Sequence, residues 1–298
     1  MLKIIYCLFL TIFVFAKEPI SPIPLTINVN DEKASLGKKL FFDSILSIDN
    51  TISCHSCHLI DQGGDDNLQF SVGVDGKVGN INAPTVLNST FNFVQFWDGR
   101  AKNLHEQALG PITNPIEMNN SFEVIIPKLE KTKYKNEFES IYEDGITKYN
   151  IADAIAEYEK TLITPNAPFD KYLRGDKNAI NEDVKQGYSL FKTQGCISCH
   201  HGINVGGNLY AEFGVVSKLQ SESKGRYEVT KNDLDKYHFK VPSLRNVELT
   251  APYLHDGRLD TLEETVKFMA HYQLGKSLNE DDINKIVLFL KSLTWATK

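Results

Sequence analysis

Four cysteines carry the most specific chemistry in this chain, arranged as Cys54-His55-Ser56-Cys57-His58 and Cys196-Ile197-Ser198-Cys199-His200. Both strings fit C-x-x-C-H, the spacing of covalent c-type haem attachment. Two thiols add to the vinyl groups of a haem, and the histidine that follows is left to ligate the iron. With the Cys and His content of these 298 residues, one such string arises by chance about two times in a thousand. Two disulfides or two zinc sites compete for the same cysteines. A pair two residues apart is a poor staple, however, and zinc leaves the histidine directly after each pair unexplained. The chain is therefore expected to carry two covalently bound haem c groups, haem 1 on Cys54, Cys57 and His58, and haem 2 on Cys196, Cys199 and His200.

The fifth cysteine, Cys7, lies in a start segment with Lys3, the apolar run Ile4 to Phe15 and the small-residue site Val14-Phe15-Ala16. That pattern reads as a signal peptide over residues 1–16. The run is shorter than the roughly 20 apolar residues of a membrane span, so no span is expected after cleavage. Without residues 1–16 the chain holds 31 basic and 38 acidic side chains. The stretch 17–165 is net −8 and 166–298 net +1. An acidic surface argues against nucleic acid and suits a basic protein partner.

The elements that must position the two strings recur along the chain. Gly37-Lys38-Lys39-Leu40-Phe41 precedes the first string and Gly187-Tyr188-Ser189-Leu190-Phe191 the second. After them Pro84-Thr85-Val86-Leu87-Asn88 matches Pro242-Ser243-Leu244-Arg245-Asn246, and Asp98-Gly99-Arg100 matches Asp256-Gly257-Arg258 at the same spacing. A period this long suggests one duplicated domain rather than a solenoid. Helical periodicity marks Ile151, Ala154, Ile155, Tyr158 and Leu162, started by Asn150, then Asn181 to Gln194 and Asn279 to Leu293. Pro165-Asn166-Ala167-Pro168 reads as a linker. The expected fold is mainly α, with two duplicated cytochrome c-like haem domains at 17–165 and 166–298.

Duplication makes a difference between the halves readable. A haem iron with methionine opposite histidine is closed and suits electron transfer, whereas one with a free sixth position can bind a small oxidant. Met269 lies in a helix opened by the capping box Thr261-Leu262-Glu263-Glu264. Core packing is the commoner fate of such a methionine, but it is the only one in the second half. The repeat places Pro111 at the corresponding position of the first half. Haem 2 is thus expected to collect electrons and haem 1 to do the chemistry.

The whole of the mature chain resembles the bacterial dihaem cytochrome c peroxidases. The likeness is carried by both haem strings, Asn82-Ala83-Pro84-Thr85, Phe96-Trp97-Asp98-Gly99-Arg100, Glu106-Gln107-Ala108, Gly110-Pro111-Ile112, Glu117-Met118 and Leu249-Thr250-Ala251-Pro252-Tyr253-Leu254-His255-Asp256-Gly257. It implies a periplasmic homodimer that reduces hydrogen peroxide to water with electrons from a small cytochrome c or cupredoxin. By the same resemblance Glu117 is the proton-handling carboxylate, Gln107 its neighbouring amide and Trp97 an aromatic bridge between the haems. His255, which stands where Trp97 stands in the repeat, is a candidate neighbour of a haem propionate. A calcium ion is implied at Asn82, Thr250 and Pro252, oxygen donors of the mixed kind this cation accepts.

One departure matters. Many family members carry a histidine in the loop after the first string that caps the peroxidatic iron until haem 2 is reduced. Here Val74 stands in its place, within a glycine-rich loop. The expectation is an iron at haem 1 that is open without prior reduction. Two other readings compete. One is a dihaem enzyme that oxidises tryptophans of another protein, in which tyrosine takes the place of Met269; the other is a non-catalytic electron carrier with a sixth ligand on both irons.

Overall fold

The computed structural model describes residues 18–219 and 221–295. Residues 1–16, with the pattern of a signal peptide, and Cys7 among them, lie outside the described residues. Eleven helices occur among the described residues: α1 (Asp31–Phe42), α2 (Cys54–Cys57), α3 (Leu104–Thr113), α4 (Phe122–Leu129), α5 (Tyr134–Ile141), α6 (Lys148–Thr161), α7 (Pro168–Leu173), α8 (Glu182–Gln194), α9 (Tyr227–Thr230), α10 (Leu262–Leu274) and α11 (Glu280–Lys291). Two short antiparallel strands, β1 (Tyr210–Glu212) and β2 (His238–Lys240), pair Tyr210 with Lys240. The fold is mainly helical, and no helix of the described residues is long and apolar enough to cross a membrane.

Local chemistry sets the helix ends. Asn181 and Asn279 accept the Val184 and Asp282 amides at the starts of α8 and α11, satisfying donors that a helix start leaves without partners. Thr261 does the same for Glu264 at the start of α10, as the capping box predicts. α6 corrects an expectation. Thr147 caps it by accepting the Asn150 amide at 3.1 Å, so the helix begins at Lys148 and not at Asn150.

Two helix crossings organise the molecule. α1 crosses α6 at Gly37, where a methyl group would lie 1.8 Å from the Ala154 carbonyl oxygen. α8 crosses α11 at Gly187, where it would lie 1.9 Å from that of Lys285. The two glycines hold matching places in the repeated approach motif, and only a residue without Cβ lets the backbones come this close. Leu36, Leu40, Phe41, Ile151 and Ile155 fill the first crossing; Val184, Tyr188, Phe191, Ile283, Ile286 and Leu290 fill the second. Each such side chain contributes roughly 1.5–3 kcal/mol by leaving water.

The loops repeat as well. Asn88 and Asn246 both adopt φ 60°, and isolated bridges pair Gln95 with Ala101 and Tyr253 with Leu259. The segment between the halves is anchored rather than free: Thr164 Oγ1 accepts from Asn88 Nδ2 at 2.7 Å and from Asn246 Nδ2 at 3.1 Å. Pro168 opens α7 instead of extending the linker. The first described residues, expected with the first half, pack on the second. Gly202 donates to the Pro19 carbonyl, and Arg245, fully buried beside Asp170 at 2.7 Å, donates to the Ser21 carbonyl.

Candidate active site

The first cavity measures about 320 Å³ and is lined by Cys54, Cys57, His58, Trp97, Gln107, Pro111 and Glu117. Its cysteines stand on α2, started by reciprocal bonds between Ser53 and Ser56. None of the four described cysteines is in a disulfide, and no cluster of three His, Cys, Asp or Glu side chains among the described residues could hold a metal such as zinc. His58 Nδ1 donates to the Gly64 carbonyl at 3.0 Å. That bond fixes the proton on Nδ1 and leaves Nε2 as the ligating nitrogen. Burial holds His58 below its ordinary pKa, so the imidazole is neutral, as iron ligation requires. Thiol pair, free Nε2 and adjoining cavity together fit a c-type haem.

Glu117 reaches this cavity from the turn after α3, and Gln107 from α3 itself. Burial pushes the Glu117 carboxyl up, against the pull of its hydrogen bond from Asn114 Nδ2 at 2.5 Å and of the Arg100 charge. Gln107 Oε1 is buried with no hydrogen-bond partner, an unusual cost for a polar atom. Pro111, inside α3, lines the cavity, and Met118 reaches it from the core cluster of Leu46, Ile112 and Ile125.

The glycine-rich loop forms a closed hairpin against this site. Val72 bridges Val78, Gly73 donates to Lys77 at 2.8 Å, and Val74 donates to the Glu117 carbonyl at 2.9 Å. Val74 is fully buried.

The second cavity, about 220 Å³, is lined by Cys196, Cys199, His200 and Met269. His200 Nδ1 donates to the Val205 carbonyl at 3.3 Å, and burial lowers the imidazole to about 4. The same fit therefore holds here, with a methionine from α10 on the cavity wall. Tyr253 lines it too, but burial pushes its phenol up to about 12, which favours the neutral phenol over a phenolate ligand. His255 is buried, stacked on Phe239 at 4.2 Å, with Nε2 against the Ser221 hydroxyl at 2.8 Å.

Trp97 and Asn82 line both cavities. Trp97 Nε1 donates to the Asn82 carbonyl at 2.9 Å, and Asn82 N donates to the His255 carbonyl at 2.9 Å. Asn82 uses Nδ2 on the Leu68 carbonyl at 3.0 Å. Thr250 and Pro252 border the second cavity. Between them in sequence, Ala251, like Leu249, gives its carbonyl to Asn67 Nδ2, at 3.2 and 2.6 Å respectively.

The sequence pattern of the di-haem cytochrome c peroxidases matches residues 31–178. The chain is 49% identical to cytochrome c551 peroxidase of Nitrosomonas europaea over 94% of this chain and 85% of that one. The chain belongs to the di-haem cytochrome c peroxidase family. With that membership come two haem c cofactors and a place among the oxidoreductases that act on peroxide. It is also 50% identical to cytochrome c peroxidase Ccp of Escherichia coli over 93% of this chain and 61% of that longer one. In fold it is similar to a MauG-like protein associated with microbial copper homeostasis, at TM-score 0.80 and 24% identity over 95% of each chain.

Every residue singled out for the haem sites lines the expected cavity, and Trp97 lines both. Two charged residues escaped the sequence reading. Glu159, on α6, lines the first cavity at 5% exposure with Oε2 unpartnered, and burial pushes it up to about 8. Lys240, on β2, lines the second at 4% exposure, and burial lowers it to about 8. No motif marks either; a charged residue announces burial only when its neighbours are known.

Proposed function

We propose that the chain is a periplasmic peroxidase in which electrons from a small cytochrome c or cupredoxin arrive at the second cavity and hydrogen peroxide is reduced at the first. The carrying observation is that a half-buried carboxyl, Glu117, and an amide, Gln107, whose Oε1 is buried, line the same cavity as Cys54, Cys57 and His58. When bound, a haem c supplies an iron that passes one electron at a time and, with its sixth position free, binds a small oxidant. Glu117 Oε takes the proton from one peroxide oxygen and returns it to the other, a task suited to a carboxyl whose pKa burial raises. Gln107 Oε1, otherwise unpartnered, accepts from peroxide or water and holds it in place. Asn114 fixes the Glu117 carboxyl through its 2.5 Å bond, and Trp97 spans the wall between the sites.

Met269 favours this reading over tryptophan oxidation, since it stands on the wall of the second cavity, where it would close a haem iron held by His200. Pro111 at the matching place of the first favours it over a carrier closed at both irons. Division into duplicated haem domains, at 17–165 and 166–298, is supported by the paired helix crossings and the matched loops. Calcium at Asn82, Thr250 and Pro252 is supported by family likeness, and all three line the second cavity. Export is supported by the leader-like residues 1–16, and a homodimer by family likeness.

Val74 supports a first site open without prior reduction, because its buried hairpin brings no ligating side chain to the cavity. Peroxide turnover with reduced cytochrome c as donor tests the function, and turnover at the background rate overturns it. In the fully oxidised protein, a low-spin bis-nitrogen electron paramagnetic resonance signal from the first site overturns the open iron.

A further inference from the structure

The second cavity has an electrostatic peculiarity. Lys240 is the only Lys or Arg among its lining residues, and no Asp or Glu lines it. The ammonium makes no hydrogen bond or ion pair with any described residue, although Lys240 is 4% exposed. An interior ammonium without an anion is expensive, and mutation to a shorter apolar residue would relieve that cost unless something in the cavity answers the charge. His255, the sequence candidate for such contact, has its Nε2 engaged by Ser221. Arg245, the other buried cation of this half, is satisfied by Asp170 at 2.7 Å.

We infer that Lys240 is the counter-ion of a propionate carboxylate of the haem held by Cys196, Cys199 and His200, and that it anchors this carboxylate beside Trp97. The inference rests on that haem assignment. A haem c brings two carboxylates of its own, and an ammonium pairs with such a group by a charge-assisted hydrogen bond. The placement beside Trp97 follows from the backbone: Lys240 N donates to the Trp97 carbonyl at 2.7 Å, so the two residues are bound to one another at the wall the cavities share. A fixed positive charge here favours the reduced form of the second centre over the oxidised one. Lys240 is a positioning residue: it acts through the haem and touches no peroxide.

Redox titration of the intact two-haem protein tests this, reading each centre by its own absorbance. Lys240→Met lowers the midpoint of the second centre alone, by at least a tenfold shift in its electron-exchange equilibrium, about 59 mV for one electron. Lys240→Arg restores the midpoint and shifts the propionate bending bands of the resonance Raman spectrum. An unchanged midpoint in the Met variant, or equal movement of both centres, overturns the inference. Should the Met variant not be recovered, unchanged propionate bands in Lys240→Arg overturn it alone. Mass spectrometry showing fewer than two haems in the wild type would instead overturn the haem assignment on which it rests.

Discussion

The two cavities share a covalent anchor and differ in charge. Asp98, Glu117, Glu159 and Glu228 line the first, with Arg100 as its one Lys or Arg, already bound to Asp98 at 3.1 Å. The second has Lys240 and no carboxylate. Burial raises the Glu117 carboxyl and pushes Glu159 up to about 8, so the first lining holds groups suited to exchanging protons, which peroxide reduction needs. A buried ammonium holds electrons instead, by stabilising the reduced centre. In the function proposed above, the same attachment string serves proton chemistry in one half and electron collection in the other, and the lining is what distinguishes them.

Glu117→Gln gives the sharpest break in this contrast. Removing a positioned acid–base group costs about 10²–10⁴-fold in rate, so kcat/KM for peroxide is expected to fall within that range. Glu228→Gln, which changes an acid at the same cavity that bonds Ser223 and the Lys224 amide, is expected to stay within a few-fold of wild type. Steady-state assays with both variants decide whether Glu117 acts as a base or whether any negative charge in the cavity suffices.

Glu159 gives the next effect, in stability rather than rate. Its folded pKa of about 8 lies above the ordinary 4.5, so the folded chain keeps this proton while the unfolded chain loses it. Stability contributed by the neutral form is complete below pH 4.5 and is lost as pH rises toward 8. Glu159→Gln cannot ionise and is therefore expected to gain roughly 3–4 kcal/mol on wild type between pH 5 and 8, a Tm gain of about 6–16 °C. Melting curves at both pH values check this. An equal Tm difference at pH 5 and pH 8 would mean that an unrecognised cation balances the carboxyl.

Much of this arrangement is legible in the amino-acid sequence. The haem strings, the helices opened by Asn181, Asn279 and Thr261, and the contrast of Met269 with Pro111 depend on local spacing, which sequence displays directly. Asn150 can serve as a cap, but Thr147 lies where its oxygen meets the third amide. The prolines mark the linker, but nothing local to Thr164 shows that it sits between two matched asparagines. Val74 was visible as a missing histidine; that it pins the loop to the Glu117 carbonyl was not. Glu159 and Lys240 were invisible because isolated charges look alike whether solvated or buried, and only tertiary packing distinguishes them.

The wall between the cavities gives the smallest effect and the finest test. Trp97→Phe keeps an aromatic ring but removes the Nε1 donor, leaving the Asn82 carbonyl without that partner. The lost bond costs about 1–2 kcal/mol, small enough for the fold to survive. If Trp97 serves mainly as a spacer, melting temperature falls and single-turnover electron exchange between the two sites keeps its rate. If the indole is the conduit, exchange slows even when the comparison is made at equal fractional stability, while peroxide binding at the first site is unaffected. Stopped-flow traces that show unchanged exchange would confine Trp97 to packing and leave the shared wall of Asn82, Ala83, Pro84, Thr85 and Phe239 as the path between the cavities.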